Sequence, residues 1–150
     1  MTDPLRAYRA ALLYCLDDPT AVGVAASYRY LADGLLLVEH GHIRAVDHAA
    51  RLLPGLPPGT PVEHWPDALV VPGLIDTHIH YPQTGMLGAS GAQLLDWLQR
   101  YTYPTEQRFA DRDYAERVAR VFVAELLRNG TTSALVFPTV HPESVDAFFT

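Results

Sequence analysis

The run from Ala68 to Ile75, Ala-Leu-Val-Val-Pro-Gly-Leu-Ile, is nearly all apolar. That pattern suits a strand buried on both faces inside a parallel sheet, where neither side meets water. The residues beyond it keep to the same architecture. Ser90-Gly91-Ala92-Gln93 has the spacing of a capping box and should open a helix. Leu94, Trp97, Leu98 and Tyr101 would share one face of it, and Pro104 should stop it. A second helix is expected with Asp111 as N-cap and Ala115, Val118, Ala119, Phe122 and Leu126 on one stripe. Asn129-Gly130 suits its C-terminal end. Thr131 to Phe137 is then a second buried strand, and Pro142-Glu143 opens another helix. Strand, helices, strand, helix is the start of an α/β repeat with right-handed parallel crossovers. A closed (β/α)8 barrel needs about 250 residues, so in a chain of 150 residues the barrel is expected to be incomplete.

The first part of the chain has a different texture. Leu5 to Leu16, Tyr28 to Tyr30, Gly34 to Glu39 and Ile43 to Asp47 have strand-like patterns, with a turn at His40-Gly41. Short strands with close turns predict a small, mainly antiparallel sheet. Residues 54–61, Pro-Gly-Leu-Pro-Pro-Gly-Thr-Pro, form a punctuated loop that no helix or central strand could hold. The expected organisation is therefore a β-rich domain over 1–67 and the first βα units of a barrel over 68–150.

Composition removes several function classes. The formal net charge is −6 with no basic cluster, so the electrostatic footprint of a nucleic-acid binder is missing. All 11 basic residues are arginine, which excludes a Schiff-base lysine and a phosphate-loop lysine within these residues. The single cysteine, Cys15, lies in an apolar run and is expected to be a buried, inert thiol. The N-terminal stretch fits neither a signal peptide nor a membrane helix, and a cytoplasmic protein is expected.

The chemistry gathers at the end of the apolar strand, in Asp76-Thr77-His78-Ile79-His80. Side chains two apart on a strand point to the same face, with Cα atoms about 6–7 Å apart. His78 and His80 could therefore converge on one metal ion, with Zn–N distances of about 2.0–2.1 Å. They could equally be a hydrogen-bonded pair of core histidines. A bound ion would bring the pKa of a water toward about 7. His40-Gly41-His42 has the same spacing but spans a turn and is expected to face solvent, and His48, His64 and His141 have no partner at informative spacing. Asp76 lies one step deeper on the face of the histidine pair, where a structural role or a role behind the ligands is expected.

Pro72-Gly73-Leu74-Ile75-Asp76-Thr77-His78-Ile79-His80 resembles the first-strand motif of the amidohydrolase superfamily. Beyond it, the resemblance narrows to the guanine deaminase family. The segments that carry it are His80-Tyr81-Pro82-Gln83, Gly91 to Leu98, Tyr103-Pro104-Thr105-Glu106, Leu127 to Thr132 and Val140 to Asp146. It covers roughly residues 68–150.

The resemblance implies that His78 and His80 bind one zinc ion and that His80, Tyr81, Pro82 and Gln83 line a purine pocket. It implies hydrolytic deamination of guanine to xanthine and ammonia, and a homodimer. The family's remaining metal ligands, its proton-shuttling glutamate and a substrate-gripping arginine belong to later strands. No catalytic residue is therefore expected within this chain, and the chain alone is expected to be inactive. The alternatives are another deaminase or cyclic amidohydrolase of the superfamily, and a non-catalytic fragment.

Overall fold

The computed structural model describes residues 5–91 and 93–150, which divide into two compact units after Pro72. In the first unit, β1 (Arg6–Cys15) leads through two single-turn helices, α1 (Pro19–Val22) and α2 (Val24–Ser27), into β2 (Tyr28–Glu39). Asp18 caps α1 by accepting from the Thr20 amide at 2.8 Å. The hairpin to β3 (His42–His48) turns on His40 and Gly41, at φ 52° and 75°. Two consecutive positive φ values are what a two-residue hairpin of matching twist demands. A helical turn, α3 (Ala49–Leu52), and a 3-10 turn at Leu53–Gly55 then lead to β4 (Val62–Val70).

The sheet order is β3-β2-β1-β4, antiparallel except for the β1–β4 pair. Alternate residues serve two small cores. Ala7 and Leu35 meet Ala49, Leu52, Leu53 and Leu56 on one side, while Ala10, Leu12 and Leu31 meet Tyr14, Leu36, Val46 and Val70 on the other. β4 is an edge strand and contains Pro66, which falls where the β1–β4 register shifts between Arg9 and Ala11. Proline cannot donate to a ladder and is tolerated at such a place. Tyr8 and Trp65 stack nearby with centroids 5.7 Å apart.

The expected single strand from Ala68 to Ile75 is divided. Its first residues complete β4 in the first unit's sheet, and Pro72-Gly73 separates them from β5 (Leu74–His80) in the second unit. The two compact units divide after Pro72. Cys15 is also not buried: it ends β1 with its side chain exposed.

In the second unit β5 pairs in parallel with β6 (Thr131–Phe137). Between them the chain makes a 3-10 stretch, Tyr81–Met86, then α4 (Leu94–Trp97), a π-helical turn over Leu98–Thr102, α5 (Tyr103–Gln107), a 3-10 turn over Arg108–Ala110 and α6 (Arg112–Arg128). After β6, α7 (Pro142–Phe148) completes the unit. The helix does not stop before Pro104, as sequence alone suggests. The wide π turn precedes Pro104, and relaxing the ladder there is how a helix tolerates a residue with no N–H. The capping-box expectation fails as well. Gln93, not Ser90, stands at the N-cap and makes no side-chain cap, while Ala92 lies outside the described residues. α6 agrees with expectation: Asp111 accepts from the Tyr114 amide at 3.2 Å, and Gly130 at φ 83° comes after the last turn.

The core of the second unit gathers Tyr81, Phe109, Ala115, Ala119, Phe122 and Ala147, with Ile79, Val118, Leu126, Val136 and Phe148 packed around it. β5 and β6 are not buried on both faces. Ile75 is 72 % and Leu135 60 % exposed, because the helices of this unit cover the pair from one side only.

Candidate metal centre

β5 ends in a division of labour. Ile79 and then Tyr81 pack into the core, so the residues alternating with them face the other way. His78 and His80 project there together, with Nε2 atoms 3.1 Å apart and ring centroids 5.2 Å apart. Two bonds of about 2.05 Å subtending a near-tetrahedral angle place their nitrogens about 3.3 Å apart. The separation thus fits two imidazoles sharing one ion; a single hydrogen bond between neutral rings spans it as well. Among the described residues no group of three or more His, Cys, Asp or Glu side chains converges, so the pair offers at most two ligands of a set.

The strand is not regular beneath the pair. The register with β6 shifts between Asp76 and Ile79. At that irregularity the Asp76 carboxylate accepts the backbone N–H of His78 at 3.0 Å. Asp76 therefore acts on the main chain that carries the first histidine and makes no bond to either imidazole. Bulges of this kind re-aim side chains next to functional sites.

One contributor was missed by sequence reasoning. Phe137, the last residue of β6 and the register partner of His80, lies against both imidazoles, at 4.5 Å from His78 and 5.0 Å from His80 between ring centroids. The only hint was its place at the end of a parallel strand, where sites of such folds are built.

Past His80, the two candidate pocket residues Tyr81 and Pro82 are buried. Tyr81 sits edge-on to Phe109 at 5.2 Å, close to Phe122 and Phe148, and its hydroxyl donates to the Ser144 carbonyl. Burial pushes its phenol pKa up, partly opposed by that hydrogen bond. The Tyr81 side chain thus belongs to the core and anchors the turn between His80 and Gln83. Gln83 is half-buried, and its amide nitrogen faces a Glu106 carboxylate oxygen at 3.4 Å. Trp97 donates its indole N–H to the Ala89 carbonyl at 2.9 Å, a packing role. His40 and His42 are exposed on their turn, and His48 and His64 are exposed too. His141 holds its Nε2 buried with no hydrogen-bond partner.

Residues 69–149 match the profile of the Amidohydrolase family. The chain belongs to the amidohydrolase family. It is 46 % identical over 134 residues to the guanine deaminase of Escherichia coli, covering 89 % of this chain and 30 % of that protein. The solved structure of the E. coli enzyme superposes with a TM-score of 0.85 at 44 % identity, over 96 % of this chain and 34 % of the other. A guanine deaminase from C. acetobutylicum, solved with guanine in its active site, gives 0.77 at 27 % identity over 97 % and 33 % of the two chains. An adenosine deaminase from Xanthomonas campestris with bound zinc, 24 % identical over 99 % and 32 % of the two chains, shares the fold at 0.74. The chain thus spans about a third of the length of the relatives it matches. This amidohydrolase segment is an α/β part of a barrel enzyme, and the match reaches back through the β-rich first unit.

Proposed function

We propose that the enzyme to which this chain contributes deaminates guanine hydrolytically, giving xanthine and ammonia with one water consumed. The observation that carries the reading is the His78–His80 pair at 3.1 Å on the C-terminal end of β5, succeeded at once by the turn bearing Gln83. Family membership and the identity to guanine deaminases support the substrate. In this reading His78 and His80 hold one zinc ion. Zinc, when bound, supplies the Lewis acidity that makes hydroxide available from water near neutral pH.

The rest is the work of the chain's own groups. Asp76 and Phe137 fix the main chain and the rings of the two histidines. Tyr81, locked in the core, holds the next turn so that Gln83 stands beside the site. An amide that offers both donor and acceptor can read the lactam or amino edge of a base. Proton delivery to the leaving nitrogen and the remaining ligands fall to residues outside this chain, within a closed barrel joined to a β-sandwich. Among the described residues no helix is long and apolar enough to cross a membrane. The guanine deaminase reading carries with it a homodimer and a cytoplasmic location.

The test is ammonia release from a panel of guanine, adenine, adenosine, cytosine and hydroxyatrazine, with zinc analysis of the full-length enzyme. Guanine should be the preferred substrate, and His78→Ala or His80→Ala should abolish both stoichiometric zinc and turnover. Retained zinc and activity in those variants would sink the assignment of the pair. The isolated 150-residue chain should bind no stoichiometric zinc and release no ammonia.

A further inference from the structure

Glu106 stands apart from the histidine pair, yet it is the charged group that the structure sets against Gln83. It lies on α5, which the π-helical turn over Leu98–Thr102 and Pro104 bring past the 3-10 stretch after β5. Gln83 Nε2 and Glu106 Oε1 are 3.4 Å apart and both residues are half-buried. The two ends of a glutamine amide have nearly the same shape and differ only in what they offer, so a neighbour decides which end points where. A carboxylate accepts only, and it repels a carbonyl oxygen. It therefore selects the flip in which Gln83 turns its NH2 toward Glu106, leaving the carbonyl oxygen and the second N–H for the pocket.

We propose that Glu106 is a positioning residue for base recognition: it sets the flip of the Gln83 amide and through it the donor–acceptor pattern presented to the substrate. The proposal rests on the guanine deaminase reading. Without the carboxylate, the amide distributes over both flips and neighbouring rotamers, and the competent fraction falls to on the order of a tenth. Apparent affinity for the base falls by the same factor. Because the contact serves bound substrate and transition state alike, the loss belongs in KM rather than kcat.

The experiment is a double-mutant cycle in the full-length, zinc-loaded enzyme, with ammonia release from guanine as the readout. Glu106→Gln, nearly isosteric, should raise KM about tenfold with kcat within about twofold of wild type. Glu106→Ala should do the same. Either change made on top of Gln83→Ala should add nothing, because the group it positions is gone. An unchanged KM, a loss confined to kcat, or full additivity with Gln83→Ala overturns the proposal. So does failure of both Glu106 variants to fold, which would make the residue structural. If the wild type deaminates another base of the panel and not guanine, the substrate reading alone falls, and the same cycle on that base decides Glu106. If it deaminates none, both fall.

Discussion

Gly73 opens the second unit and adjoins β5, and its missing side chain is a requirement of the strand pairing. A Cβ built there stands 1.9 Å from Thr132 Oγ1, 2.4 Å from its Cγ2 and 2.6 Å from its Cβ. All three atoms belong to a β-branched side chain, so rotating Thr132 only exchanges one obstacle for another. Gly73→Ala must instead push β5 and β6 apart by about 1 Å at the point where Leu74 N–H reaches the Gly130 carbonyl at 2.8 Å. Overpacking of this kind costs about 1–3 kcal/mol, and the immobile obstacle places this case at about 3. For a domain of 150–250 residues that is about 6–12 °C in Tm. The assay is thermal unfolding of the zinc-loaded, full-length enzyme, with zinc content measured on the same samples. Zinc should fall too, because the displaced strand carries His78 and His80 on its far end. Adding Thr132→Ala removes two of the three clashes and should recover about half of the loss, a non-additivity expected of touching residues. A Gly73→Ala variant within about 2 °C of wild type would refute the close-approach argument, and an unrescued loss would show that its cause lies elsewhere.

Phe137→Ala strips the aromatic wall from both imidazoles and should weaken zinc binding about 10- to 100-fold, as losses behind metal ligands do; competition with a chelator measures it, and unaltered affinity would remove Phe137 from the site. Tyr81→Phe, losing the bond to Ser144, should cost about 1 kcal/mol in thermal or denaturant unfolding. The folded state holds the Tyr81 proton more tightly than the unfolded chain, whose phenol titrates at 10.0. The corresponding stability is fully present below about pH 10 and is lost as pH rises through the raised folded value, so Tyr81→Phe should flatten the alkaline loss of stability. Asp111→Ala removes the N-cap of α6 and should cost about 1 kcal/mol, while Asp111→Asn should cost only a few tenths.

The sequence patterns that proved legible are those set by local physics. The stripe on α6 and its Asp111 cap come from helical period and the unpaired amides of a first turn. The His40-Gly41 turn comes from the positive φ that a two-residue hairpin requires. What escaped is decided by partners far along the chain. Ala68–Ile75 has the composition of one buried strand, but nothing local says that Val70 pairs with Leu12 while Leu74 pairs with Thr131. Pro104 is a sound stop signal for a regular helix; a π turn, which no short-range pattern announces, removes the conflict. Cys15 sits in an apolar run, yet strand alternation at the end of β1 turns it outward.

The same distinction governs the site. The spacing of His78 and His80 announces that two imidazoles can converge, and His40 and His42 show how little spacing alone decides. Both pairs are His-x-His, but one straddles a turn with two positive φ values while the other ends a strand whose alternate residues, Ile79 and Tyr81, are fixed in a core. Burying one set of the alternation is what aims the other. Tyr81 is one of those buried residues: its ring and its bond to Ser144 hold the chain direction between the second histidine and Gln83. The groups that refine the arrangement come from other elements, Phe137 from β6 and Glu106 from α5. Neither could be inferred from β5 alone, because the parallel pairing and the π-helical turn that deliver them are properties of the folded unit.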